Sequence, residues 1–131
     1  DIAHHSIIFG PRYKGLLDDI YDNGVLPPDF SLYLHHPTAT DKAMAPEGHS
    51  TFYALAPVGH MGKLTIDWET QGAAFARSII DEVGARMGIA DIHDKVVTQF
   101  HYTPADFGVD LKAHLGRGSP AWWVARRQRR G

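Results

Sequence analysis

Residues 31–62 read SLYLHHPTATDKAMAPEGHSTFYALAPVGHMG, and their patterning decides the fold. In Ser31-Leu32-Tyr33-Leu34-His35, Leu32 and Leu34 fall on one face of an extended chain, Tyr33 and His35 on the other. In Thr51-Phe52-Tyr53-Ala54-Leu55-Ala56, Phe52, Ala54 and Ala56 share a face opposite Tyr53 and Leu55. Both runs predict strands. Pro37 and Pro57 stop them, because proline has no N–H to donate to a ladder. Large side chains occur on both faces. That suits a sheet covered on both sides, or a sheet with a core on one face and an apolar cavity on the other.

Working outward, His4-His5-Ser6-Ile7-Ile8-Phe9 predicts a short strand, broken at Gly10-Pro11. Pro11 sits well at a helix start. The helix runs to about Tyr21 with Tyr13, Leu16, Leu17 and Ile20 on one stripe, and Gly24 can close it in the left-handed conformation. Residues 36–50 predict a loop. Lys63 to Trp68 predicts an edge strand with Leu64, Ile66 and Trp68 on one face. From about Thr70 to Met87 the four-residue spacing of Phe75, Ile79, Val83 and Met87 predicts the longest helix, ended by Gly88. A strand from Asp94 to His101 follows. Thr103-Pro104-Ala105-Asp106 then opens a helix that points Phe107, Leu111 and Leu115 inward and stops at Gly116. The predicted class is α+β, a mixed or antiparallel sheet with flanking helices. No internal repeat or linker interrupts it.

The 131 residues suit one small domain, and the 44% apolar content is ordinary for a globular chain. The absence of cysteine excludes a disulfide, a thiolate nucleophile and a cysteine–zinc site, and fits a reducing compartment. No run approaches the roughly 18 apolar residues of a spanning helix. The opening Asp-Ile-Ala-His-His lacks the pattern of a secretory leader, and the missing initiator Met leads us to expect a start within a longer protein or after processing. Residues 1–116 hold all 15 acidic side chains and 8 of the 13 Lys and Arg, a net of −7. The last 15 residues hold five Arg and no acid. A basic end on an acidic body suits contact with a membrane or a nucleic acid, or is simply solvated, and Trp122 and Trp123 beside the arginines suit a membrane surface.

The nine histidines invite a metal reading, but no HExxH or His-x-His turn occurs, and His35 and His36 point to opposite faces. We therefore expect no metal site. No serine lies in a GxSxG elbow. His101 with Asp106 is read as a strand end beside a helix cap rather than an acid–base pair. No GxGxxG follows a strand and no GxxxxGK[ST] occurs, so the chain shows no dinucleotide cradle. The aromatics Tyr33, Phe52, Tyr53, Trp68, Phe100 and Tyr102 fall on predicted strands or their ends. They are either ordinary core or the wall of an apolar tunnel.

The segment LHHPTATDKAMAPEGHSTFYALAPVGHMG carries a resemblance, continued by HHSIIFGPRYKGLLDDIY upstream and by LTIDWE and HYTPADFGVDLKAHLG downstream. Together these motifs resemble the substrate domain of the bacterial-type phytoene desaturases, FAD-dependent carotenoid oxidoreductases. The resemblance covers residues 1–116, a partial substrate-binding domain. Residues 117–131 depart from it and are expected to be a disordered basic tail or a truncation or frameshift product.

The resemblance implies a two-domain flavoprotein fold of the amine-oxidase type, with this chain forming part of the substrate domain. It implies a long hydrophobic polyene substrate, the introduction of C=C bonds into it, and FAD bound by segments this chain lacks. It also implies a cytoplasmic protein in peripheral contact with a membrane and no nucleic-acid partner. A cut substrate domain is expected to self-associate and to be inactive alone. His35, His36, Tyr53, His60 and Thr103 are the positions expected near substrate or flavin. The alternatives are a related desaturase or isomerase of another carotenoid, and a non-enzymatic binder of a hydrophobic ligand.

Overall fold

A computed structural model describes residues 2–29, 31–59, 61–62, 66–110 and 112, and the backbone of 121–128. The elements in chain order are β1 (His5–Ile8), α1 (Tyr13–Asp18), β2 (Leu32–His35), β3 (His49–Ala56), α2 (Trp68–Met87), α3 (Ile92–Lys95), β4 (Val96–Tyr102), α4 (Pro104–Asp110) and β5 (Ala121–Gln128). A π-helical turn, Asp19–Asn23, extends α1, and Gly24 closes it with φ 61°. Two 3₁₀ turns, Pro37–Ala39 and Lys42–Met44, lie between β2 and β3.

All four strand pairings are antiparallel, in the order β1-β2-β3-β5-β4. The period-two pattern sets which face is which. Leu32 and Leu34 of β2 and Phe52, Ala54 and Ala56 of β3 are buried, and the residues between them are only partly so. The buried face meets Leu16 and Ile20, together with Trp68, Phe75, Ala76, Ile79, Ile80 and Val83 of α2, in one core. Each fully buried Leu or Ile contributes roughly 1.5–3 kcal/mol relative to exposure, so this stripe is the main reason α2 docks.

Most predicted elements are present, with differences that have physical causes. The edge strand over 63–68 is not formed across its described part. Ile66 and Asp67 are irregular, and Trp68 begins α2. The Asp67 carboxylate accepts the Glu69 N–H at 3.1 Å, so the helix is capped at Asp67 and begins at Trp68, two residues before Thr70. Trp68 then turns inward, 6.3 Å from the Phe75 ring. The strand expected from Asp94 is preceded by α3, whose four residues include Asp94 and Lys95. Tyr13 faces solvent rather than sharing the stripe of Leu16 and Ile20. Leu111 and Leu115 lie outside the described residues.

The tail brings the largest difference. Within the stretch expected to be a disordered or truncated tail, the backbone of Ala121–Gln128 runs as a strand between β3 and β4, pairing Tyr53 with Val124 and Phe100 with Val124. No helix among the described residues is long and apolar enough to cross a membrane.

Candidate functional site

The second face of the β1-β2-β3 part of the sheet carries the clustered polar and aromatic groups. On β1 it presents His5 and Ile7, the latter 66% exposed. On β2 it presents Tyr33 and His35, and on β3 Thr51, Tyr53 and Leu55. The register places His5 opposite His35 and His35 opposite Tyr53, so three neighbouring strands deliver rings to one spot. The His5 and His35 rings stack with centroids 4.9 Å apart and planes 11° from parallel. Tyr33 continues the stack beside His5 at 5.9 Å. Tyr53 stands edge-on to Tyr33 and to His35, 6.2 Å from each.

Hydrogen bonds fix these rings. The His5 Nδ1 is 2.7 Å from the Tyr33 hydroxyl, and His4 Nε2 is 2.9 Å from His35 Nε2. His4 Nδ1 reaches Thr40 Oγ1 at 2.5 Å. Burial, then the neighbouring charges of His4, His5 and His36, hold the His35 pKa below its ordinary value. Burial, then Tyr33, holds the Tyr53 hydroxyl above its ordinary value. The result is a bank of rings from three neighbouring strands that can lie against an extended apolar molecule.

Of the five positions singled out from sequence, the structure brings His35 and Tyr53 together. His36 points to the other face, as strand alternation requires, and its ring stacks on Phe52 at 4.2 Å. There it borders a cleft of about 540 Å³ with Ile2, Thr38, Ser50, Phe52 and Ile89. Thr103 is buried in the cap of α4, where its N–H and hydroxyl both donate to the Asp106 carboxylate at 2.6 Å. His60 lies outside the described residues. Phe52 and Trp68 belong to the core, and Phe52 also reaches the cleft beside His36. Phe100 is exposed, and Tyr102 packs edge-on against Phe107.

Sequence reasoning missed His4 and His5. In the sequence they mark only the start of a strand, and it is the antiparallel pairing of that strand with β2 that sets them beside His35. The ligand nitrogens of His4, His5 and His35 all lie within 4.8 Å of one another.

The chain is 47% identical over 116 residues to the lycopene-forming phytoene desaturase of Paracoccus sp. (strain N81106 / MBIC 01143), covering 88% of this chain and 23% of that protein. It is 46% identical over 115 residues to the lycopene-forming phytoene desaturase of Pseudescherichia vulneris, with the same two coverages. It is 39% identical over 108 residues to the neurosporene-forming phytoene desaturase of Cereibacter sphaeroides, covering 82% of this chain and 20% of that protein. The chain is homologous to a segment of the bacterial phytoene desaturases. It spans less than a quarter of the length of these curated relatives. No family model matches the phytoene-desaturase-like segment, and no solved structure matches it.

Proposed function

We propose that this chain is part of the substrate-binding domain of an FAD-dependent carotenoid desaturase, and that its open sheet face packs against the polyene. The observation that carries the reading is the 47% identity over 116 residues to a phytoene desaturase. The ring bank of Tyr33, His35 and Tyr53, with Leu55 beside it, supports the surface assignment. An unsaturated hydrocarbon offers no hydrogen-bonding groups, so it is held by shape and by flat apolar contact. Flat rings lose little side-chain entropy on binding.

FAD belongs to the proposal for the whole protein. When bound, it takes up the hydrogen removed as each C=C bond forms. This chain carries no strand-linked GxGxxG, so its residues do not supply a pyrophosphate cradle, and the segment alone is inactive. The enclosing two-domain flavoprotein fold, a cytoplasmic location, peripheral membrane contact and self-association of the segment are parts of the same reading. In the sequence, Trp122 and Trp123 beside the arginines of the last fifteen residues are the feature that supports membrane contact.

The test is a binding titration on the purified chain. Phytoene in mixed micelles should quench tryptophan fluorescence with a stoichiometry near one, and Tyr33→Ala and Tyr53→Ala should each weaken it. After incubation with FAD and removal of free cofactor, the chain should show no flavin bands. Quenching equal to that of a saturated hydrocarbon, or unchanged in both variants, would remove the surface assignment. Flavin retained near one per chain would place a cofactor site in this segment and overturn its proposed inactivity.

A further inference from the structure

We propose that His4, His5 and His35 form a binding site for a divalent transition metal of the zinc class. Three imidazoles, from His35 of β2, His5 of β1 and His4 just before it, converge, with one ligand nitrogen of each within 4.8 Å of the other two. In a tetrahedral site with Zn–N bonds of ~2.0–2.1 Å, ligand nitrogens stand ~3.3 Å apart. The His4 Nε2 to His35 Nε2 separation is 2.9 Å, so this pair opens by only a few tenths of an ångström to admit the ion. The metal takes the place of the hydrogen bond between those two nitrogens.

The surroundings match what a histidine site requires. A metal-bound imidazole is oriented by a hydrogen bond on its other ring nitrogen. His4 Nδ1 meets Thr40 Oγ1 at 2.5 Å, and His5 Nδ1 meets the Tyr33 hydroxyl at 2.7 Å. Both bonds leave Nε2 as the ligand atom. Imidazole donors without thiolates suit Zn²⁺, Co²⁺, Ni²⁺ and Cu²⁺ rather than Mg²⁺ or Ca²⁺. Three protein ligands leave the fourth position for water. His5 and His35 are a cross-strand pair, so the ion would also clamp β1 to β2.

The experiment is calorimetric titration of the purified chain with ZnCl₂ and, separately, with CoCl₂. We expect one ion per chain and, with Co²⁺, the intense visible bands of tetrahedral coordination. His4→Ala, His5→Ala and His35→Ala should each weaken binding by at least about ten-fold, and Thr40→Val by about ten-fold. His93→Ala, which removes the separate His93–Asp81 pair, should leave affinity unchanged. Absence of binding, or affinity unchanged in His35→Ala, would overturn the site. Should an alanine variant lose its far-UV circular dichroism, X-ray absorption of the zinc-loaded wild-type chain decides. Three imidazole nitrogens at ~2.0–2.1 Å support the site, and a shell without imidazole sinks it.

Discussion

The His36 imidazole lies flat on the Phe52 ring, centroids 4.2 Å apart and planes 11° from parallel, and this contact joins the end of β2 to the core face of β3. His36 Nδ1–H donates to the Ile2 carbonyl at 3.1 Å, which leaves Nε2 with a buried lone pair and no partner among the described residues. Phe52 is itself buried. Phe52→Ala should therefore destabilise by ~3–5 kcal/mol, read as a shift in the urea midpoint at constant slope. His36→Phe keeps the stack. It loses one hydrogen bond but also removes an unsatisfied buried atom, so its stability should stay within about 1 kcal/mol of wild type. A loss as large as that of Phe52→Ala would mean that Nε2 makes a strong bond after all.

The close approach of α2 to α3 rests on a missing side chain. A Cβ at Gly84 would stand 2.8 Å from Ile92 Cγ2 and 3.1 Å from the Ile89 carbonyl oxygen. Gly84→Ala should cost ~1–3 kcal/mol despite the better helix propensity of alanine. Adding Ile92→Ala should recover part of that loss, because it removes the nearest clashing atom. A double-mutant cycle with no coupling would show that the clash is relieved elsewhere.

The start of α4 depends on a reciprocal cap. Asp106 accepts two hydrogen bonds from Thr103, and the Asp106 N–H returns to Thr103 Oγ1 at 3.4 Å. Asp106→Ala should lower stability by ~1 kcal/mol, while Thr103→Ser, which retains every bonded atom, should change it little. Thermal unfolding followed at 222 nm separates the two. Equal losses would point to the Thr103 methyl, 3.2 Å from a Cβ placed at Gly72, as the important group.

Tyr53 makes the fold sensitive to alkali. Its hydroxyl is held above the ordinary value of 10.0, first by burial and then by Tyr33. The folded chain thus keeps a proton that the unfolded chain releases. Its contribution is fully present below pH 10 and is lost as pH rises from there toward the raised folded value. Tyr53→Phe should flatten the stability profile above pH 10. An unchanged profile would show that other tyrosines set the alkaline limit.

The acid limit follows the opposite sign. Desolvation pushes the Asp29 carboxyl upward, but the hydrogen bonds and charge of Arg12 outweigh it, and the net displacement is below 3.8. Arg12 Nε lies 2.9 Å from Asp29 Oδ1, and the guanidinium also reaches Asp19 at 3.1 Å. The contribution of Asp29 is present above pH 3.8 and fades as pH falls through the lower folded value. Arg12→Met should make acid unfolding begin at higher pH, as measured by fluorescence titration.

Local chemistry made much of this fold legible. Alternation fixed the faces of Leu32, Leu34, Phe52 and Ala54, and four-residue spacing fixed the stripe of Phe75, Ile79 and Val83. Gly24 and Gly88 close their helices at φ 61° and 67°, where a Cβ is disfavoured. Period-two alternation also explains the misreading at 66–68. Ile66 and Trp68 alternate like a strand, but the Asp67 cap outcompetes that weak signal and sends Trp68 into the core.

By itself, then, the sequence determined the elements, their buried faces and the likeness to the desaturases, because each is written in residues a few positions apart. Only the tertiary structure decided which strands are neighbours. It set β5 between β3 and β4 and His5 opposite His35, so that the ring bank and the three-histidine cluster exist at all. The physical reason is range. A strand's periodicity says which way its side chains point, whereas its partner and register are chosen by the packing of segments tens of residues apart.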